Sequence, residues 1–477
     1  MDVSQQLLKG PAKVALAAMT ALFVLAIVFY RERVLFADAA YIAFHIINDK
    51  SLCIGKNRYG AIATQIFPYL EQQFHLSLKA ILIGYGISFN LFFLSVNACL
   101  VYVFKQYRLA ILMGLYFFLF VSESFIWVSD IPQGISLMFL LYGVLMKMGE
   151  AKNKLVLLVF FVALCILTLF THFVVAIPFI YLWIFLLVEK NNWPFSKRMT
   201  WLLSGLIVCI IVAKFCLSGG ASGPEASQLY GVTHFSLQDI IDSFTKPVVA
   251  VFLYRCATNY WAGTVIFAVG VITLAMKKKT ALAIWTLLSA LGYIIIMGLT
   301  YGDMDGTTQL FHIESEWSCI GVIAAAPFVF TFLPKLRPSV AAGLVAGIFV
   351  IRLAYIISFL PPFTARINMT KEILSQMQKK GIKKLALYND AQLISESKLY
   401  WGLPFESMML SSMDGDRQQL TFLFVNRDDK GVLEVLKDPK VFYDAYSGLP
   451  CRKLNSEYFN VDSTKPYQVM TYSELLK

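Results

Sequence analysis

Charge is scarce in this chain. Of 477 residues only 15% are Asp, Glu, Lys or Arg, against about 25% in an ordinary soluble domain. Histidine is rarer still, with five residues. There is no glycine-rich nucleotide loop, no paired-histidine zinc-protease motif and no CxxC pair, which removes P-loop, zincin and thioredoxin-like chemistry. The eight cysteines show no metal-ligand spacing and mostly sit inside apolar runs, so they read as buried free thiols rather than a disulfide framework. Internal repeats and low-complexity tracts are lacking. The apolar run from Val14 to Tyr30 has no small-residue cleavage site after it and meets Arg31 and Arg33 at once, which predicts an uncleaved first span.

What is abundant is apolar surface. Hydrophobic residues make up 58% of the chain and aromatic residues 15%. A soluble protein of this size has no single core able to hide so much. The sequence predicts an α-helical polytopic membrane protein whose principal partner is the lipid bilayer. About eleven transmembrane helices are expected, near 14–30, 80–104, 109–127, 131–146, 155–171, 173–188, 200–217, 260–276, 281–300, 317–333 and 339–360. The net charge of +11 would suggest nucleic acid in a soluble protein. Here it follows the positive-inside rule, and no nucleic acid partner is expected. With the N-terminus cytoplasmic, the inner loops collect Lys9, Lys13, Lys105, Arg108, Lys147, Lys197, Arg198, Lys277, Lys278, Lys279, Lys335 and Arg337. The outer loops collect Glu123, Asp130, Asp303, Asp305, Glu314 and Glu316. An odd span count then puts the C-terminus outside, in the periplasm if the cell is Gram-negative.

The transmembrane domain covers 1–360 and carries two long outer loops, 31–79 and 218–259. Amphipathic stretches such as YIAFHIIND and AIATQIFPYL predict interfacial helices in the first. SLQDIIDSFTKPVVAVFLYRC predicts an interfacial or re-entrant helix in the second. After Pro361 and Pro362 the composition becomes that of a soluble fold, so 361–477 reads as a small extracytoplasmic α/β domain. Its expected elements are a helix over 368–380 capped by Gly381, strands in KKLALYN and LTFLFVN, and a helix in VLEVLKD.

Chemistry must come from polar groups placed where a membrane makes them costly. Asp38, shortly after the first span, reads either as a general base of raised pKa or as a helix cap. Asp130, opening the fourth span in WVSDIPQG, has the same two readings. Lys56 and Arg58 in GKNRYG fit a phosphate or diphosphate, or simple snorkelling to headgroups. His172 stands at a span end, as a substrate-orienting group or a structural cap. The segment YGDMDGTTQLFHIESEW gathers His312, Glu314 and Glu316 with Asp303 and Asp305, and its carboxylates could hold a divalent cation. Arg255 and Arg352 lie in apolar sequence and need partners inside the bundle.

This layout resembles the GT-C superfamily of membrane glycosyltransferases. Those enzymes have an inside N-terminus, an acid soon after the first span, interfacial helices following it, and often a second acid before span four and an outer soluble domain. Asp38 and Asp130 match the two acidic positions. The family often shows two adjacent acids in the first loop, whereas Asp38 is followed by Ala39 and Ala40. The resemblance implies a polyprenyl-phosphate sugar donor and transfer to a glycan, lipid or protein acceptor on the outer face. Asp38 would be the base, Lys56 and Arg58 the phosphate ligands, and Asp130 and His172 acceptor-orienting groups. Arg255, His312, Glu314 and Arg352 are further substrate-binding candidates. Two rival readings stand beside it. One is a polysaccharide polymerase or ligase using lipid-linked sugars, to which SDIPQGISLMFLLYG and LFTHFVV are similar. The other is a non-catalytic membrane assembly subunit. A transporter is disfavoured, because neither matched broken helices nor a repeat between halves is visible.

Overall fold

The computed structural model describes residues 3–55, 57–148, 154–189, 193–219, 231–302, 304, 309–413, 419–444 and 446–477. Each of the eleven apolar runs contains a helix, but they differ in length. Six helices are long and apolar enough to cross a membrane: Lys9–Val28, Leu78–Val103, Asp130–Met148, Lys197–Leu217, Thr280–Tyr301 and Pro338–Lys379. The number rises to eight when two bent pairs are counted as one span each. Three further apolar helices, Tyr107–Leu119, Leu155–Leu169 and Phe173–Glu189, are shorter. The chain is therefore a helical, multi-pass type of membrane protein, with fewer full-length spans than apolar runs.

The reason for the shortfall is visible after Leu119. Tyr107–Leu119 has 13 residues, which is about 20 Å at the α-helical rise against ~30 Å of hydrocarbon. The chain then leaves the helix for the short 3₁₀ turn Glu123–Phe125. Its exposed backbone groups are met by protein rather than lipid: Glu314 accepts the N–H groups of Ser122 and Ser124, both at 2.7 Å. Arg352 donates to the carbonyls of Phe118 and Val121, both at 2.8 Å. Buried irregular backbone needs such partners for its freed polar groups.

Two bent helix pairs are present, although no matched pair of broken helices was visible in the sequence. Pro247–Ala257 meets Trp261–Met276 at 81°, and Leu310–Trp317 meets Ile320–Lys335 at 44°. At the first break Arg352 donates to the Asn259 carbonyl, and the Tyr260 hydroxyl donates to Glu314 of the second pair at 2.5 Å. The two breaks and the 122–124 turn thus share one polar framework. The first of them agrees with the interfacial or re-entrant helix expected in 218–259. Helices also form in the first long loop, at Asp38–Asp49 and Ile62–Gln73.

The last apolar helix runs into the C-terminal region. Pro338–Lys379 spans 42 residues as two successive helices, Pro338–Ser358 and Pro361–Lys379, joined at Phe359 and Leu360; together they are about 60 Å long, twice a hydrocarbon core. The expected helix at 368–380 is its far end, and its true start at Pro361 was hidden because the two prolines occupy the first turn, where the missing N–H costs nothing. It stops at Gly381, with φ of 67°, and Ile382 N–H bonds the Met377 carbonyl at 2.9 Å, a Schellman closure. Strands β1 (Lys384–Tyr388), β2 (Thr421–Val425) and β5 (Gln468–Met470) make a parallel sheet in the order β2-β1-β5. The strands β3 (Val441–Tyr443) and β4 (Gly448–Pro450) pair as a separate hairpin. β1 and β2 read as short apolar runs because both faces of a parallel strand are covered, here by Leu403–Ser412 on one connection. The expected helix in VLEVLKD lies slightly earlier, at Lys430–Val435.

This domain packs directly on the first loop. Phe44, on Asp38–Asp49, sits among Phe405, Phe459 and Phe442 at ring separations of 4.7, 5.1 and 5.8 Å. Phe36 meets Phe363 at 5.5 Å and Trp127 at 5.7 Å. One apolar core therefore runs from the membrane helices through the loop into the domain. The amphipathic face of Asp38–Asp49, expected to meet lipid, is covered by protein.

Candidate functional site

Asp38 opens the helix Asp38–Asp49 but does not cap it. Ala37 is the cap residue, with φ of 42° and no capping side chain. That conformation is strained for alanine, and the C-terminal domain holds it. The Ala37 N–H donates to Glu406 Oε1 at 2.7 Å, Arg366 donates to the Leu35 carbonyl at 3.1 Å, and Arg366 pairs with Glu406 at 2.5 Å. Arg366 also donates to the carbonyls of Ser397 and Leu399. Burial pushes the Glu406 carboxyl up, and Arg366 and the Ala37 amide pull it back. The residue that aims Asp38 is thus fixed from 369 positions away.

Asp130 is the first residue of Asp130–Met148, and Ser129 takes the capping part by accepting the Ile131 N–H at 3.3 Å. The Asp130 carboxylate turns instead to Arg58, at 3.2 Å, and water reaches both, with side chains 18% and 26% exposed. Arg58 precedes the 3₁₀ turn Tyr59–Ala61. Gly60 lets that turn approach closely: a Cβ there would stand 1.7 Å from Thr171 Oγ1. This brings His172 one residue from the Arg58 turn. The His172 ring accepts the Val174 N–H at 3.4 Å and lies 4.0 Å from Glu316, both side chains 5% exposed.

Asp38 and Asp130 act on the same region of the molecule from two segments. Both lie within electrostatic reach of Tyr85, together with Cys53. His312 in turn lies within reach of Arg58, its ring 5.6 Å from Trp127 and 6.4 Å from Tyr301. Burial, then Asp49 and Asp130, push the Cys53 thiol up to about 11, so it stands there as a neutral thiol and not a nucleophile. The group thus comprises two carboxylates, a guanidinium, a phenol and an imidazole, drawn from five segments. Such a set can take a proton from a hydroxyl and hold a phosphate.

Other candidates are placed elsewhere. Glu314 and Arg352 are engaged with the backbone of the 118–124 turn and the helix break at Asn259. Arg255 lies within reach of Glu123 and Tyr260. Glu123 itself pairs with Lys398 of the C-terminal domain at 3.1 Å. Arg33 is buried against the carbonyls of Gly86 and Phe125. Lys56, Asp303 and Asp305 lie outside the described residues. Among the described residues no group of three or more His, Cys, Asp or Glu side chains is placed to hold a metal ion. A cavity of about 40 Å³ lined by Arg33, Asn90, Ser124 and Ser315 has room for a few waters and none for a sugar.

Sequence reasoning missed Tyr85, Arg366 and Glu406. Tyr85 looks like any tyrosine of an apolar run, and only its helical offset toward the loop distinguishes it. Glu406 and Arg366 read as surface charges of a soluble domain. No family model, curated protein or solved structure matches this chain.

Proposed function

We propose that this protein is a membrane glycosyltransferase that moves a sugar from a polyprenyl-phosphate donor to an acceptor on the outer face of the membrane. The observation that carries the reading is the ion pair of Arg58 with Asp130 at 3.2 Å, with Asp130 and Asp38 both within electrostatic reach of Tyr85. In this reading the chain crosses the bilayer eleven times, the shorter helices completing their spans with the adjoining turns. The N-terminus is cytoplasmic and 361–477 extracytoplasmic. The Asp38 carboxylate takes the proton of the acceptor hydroxyl as its oxygen bonds to the anomeric carbon. The bond from that carbon to the phosphate oxygen breaks, and the electron pair leaves on the lipid phosphate. Arg58, with Lys56 beside it in sequence, stabilises that charge. Asp130 orients Arg58.

Asp38→Asn tests the reading. It keeps the size and much of the hydrogen bonding but removes the base, and loss of a general base costs ~100- to 10,000-fold in rate. Because Asp38 is not the cap residue, membrane insertion should stay normal. Transfer from a lipid-linked sugar donor, assayed on purified full-length protein, should fall accordingly; wild-type activity in the variant removes Asp38 as base. The topology is tested by cysteine labelling from outside. A cysteine at Ser473 should react and one at Lys278 should not; the reverse places the site on the wrong face.

A further inference from the structure

Beside Asp38 lies a cluster of rings that the transfer chemistry does not use. Tyr41, Trp401 and Tyr446 form a closed triangle, with ring centroids 6.0 Å apart for Tyr41 and Trp401, 5.5 Å for Trp401 and Tyr446, and 6.3 Å for Tyr41 and Tyr446. They come from three separate segments: the helix Asp38–Asp49, the approach to Leu403–Ser412, and the turn between β3 and β4. The triangle is braced from below, where Tyr41 packs on His45 at 4.3 Å and on Phe405 at 5.7 Å. The β3–β4 turn is braced too, since Asp444 accepts the N–H groups of Tyr446 at 3.1 Å and Ser447 at 2.7 Å. It is open above: Tyr446 is 68% exposed, and Tyr41 and Trp401 are half-buried.

Held aromatic rings that face water are costly unless something covers them. The surrounding charges indicate what. Asp38 and Asp444 lie within electrostatic reach of Tyr446, and Asp49 and Asp444 within reach of Tyr41. Ring faces are partly negative and receive the polarised C–H face of a pyranose. Carboxylates accept hydrogen bonds from its hydroxyls. The same carboxylates repel a phosphate or a uronic acid. We propose that Tyr41, Trp401 and Tyr446 form a stacking platform for a neutral pyranose of the acceptor glycan, with Asp444 and Asp38 facing its hydroxyls. Calling that glycan the acceptor rests on the transferase reading; the binding of a neutral sugar does not.

The test uses full-length protein in detergent and saturation-transfer NMR. The probes are methyl glucoside, galactoside, mannoside and N-acetylglucosaminide, with methyl glucuronide as the charged control. At least one neutral pyranoside should bind saturably and better than the glucuronide. Tyr446→Ala should weaken it about 3- to 10-fold, while Tyr446→Phe, which keeps the ring, should stay within about 2-fold of wild type. Tyr446 is exposed, so its loss leaves the fold intact, which circular dichroism verifies. Ring-dependent binding without any transfer by the wild type leaves the platform standing and removes the transferase reading. Absence of neutral-sugar binding, preference for the glucuronide, or wild-type binding by Tyr446→Ala overturns the platform. If Tyr446→Ala leaves sugar binding unchanged but loosens the protein from liposomes, the rings are a headgroup anchor and the platform likewise falls.

Discussion

Two arginine–carboxylate pairs, Arg366–Glu406 and Arg58–Asp130, differ in almost every physical respect. Arg366 and Glu406 are 2.5 Å apart with side chains 1% exposed, and the guanidinium also meets three backbone carbonyls. Arg58 and Asp130 are 3.2 Å apart with side chains 26% and 18% exposed. A buried pair carries a desolvation cost that only complete hydrogen bonding offsets. Its geometry is then determined by the fold, and it fixes whatever backbone it touches, here Ala37 and Leu35. A half-wet pair keeps contact with water and can exchange its carboxylate for an incoming anion. Full burial therefore marks the pair that builds the site, and partial exposure the pair suited to use it.

Breaking the buried pair should have the larger effect on the fold. Glu406→Gln leaves Arg366 buried without its counter-charge, and removal of one partner of such a pair costs ~3–5 kcal/mol. The expected outcome is a clear drop in the thermal unfolding midpoint of the detergent-solubilised protein, with faster hydrogen exchange of the amides around Ala37. The double substitution Arg366→Met with Glu406→Met removes both charges and should be milder than Glu406→Gln alone. Greater damage from the double substitution would mean that the Glu406 oxygen acts by accepting the Ala37 N–H, which Gln can still do and Met cannot, and not by neutralising Arg366.

Arg58→Ala should act on binding rather than on folding. Loss of one charge-assisted contact weakens the affinity for a lipid phosphate by ~1.5–3 kcal/mol, read by titration with a short-chain polyprenyl phosphate. The unfolding midpoint should move little. A large loss of stability with unchanged affinity would collapse the distinction between the two pairs.

The smallest effect is expected where both partners are wet. His75 and Glu457 stand 2.6 Å apart across the seam of loop and domain, 67% and 33% exposed. Exposed pairs of this kind contribute ~0–1 kcal/mol, so His75→Ala should shift the unfolding midpoint barely or not at all. A drop as large as that of Glu406→Gln would show that the seam is held at its rim.

The sequence by itself determined the class of the molecule. Apolar runs, sparse charge, the Gly381 stop and the strands around Lys384–Tyr388 and Thr421–Val425 were legible because each depends on near neighbours in the chain. It also marked Asp38, Arg58 and Asp130 as polar groups at the edges of apolar sequence. Tertiary structure decided the rest. The length of Tyr107–Leu119 and the bend at Asn259 depend on Glu314 and Arg352 meeting freed backbone groups far along the chain. The pairing of Arg58 with Asp130 and the clamp on Ala37 join residues 72 and 369 positions apart, and the cover over Asp38–Asp49 reaches as far along the chain as Phe459. Apolar periodicity adds up locally and can be read in sequence order. An ion pair is chosen by which charges burial brings together, and that choice exists only once the chain has packed.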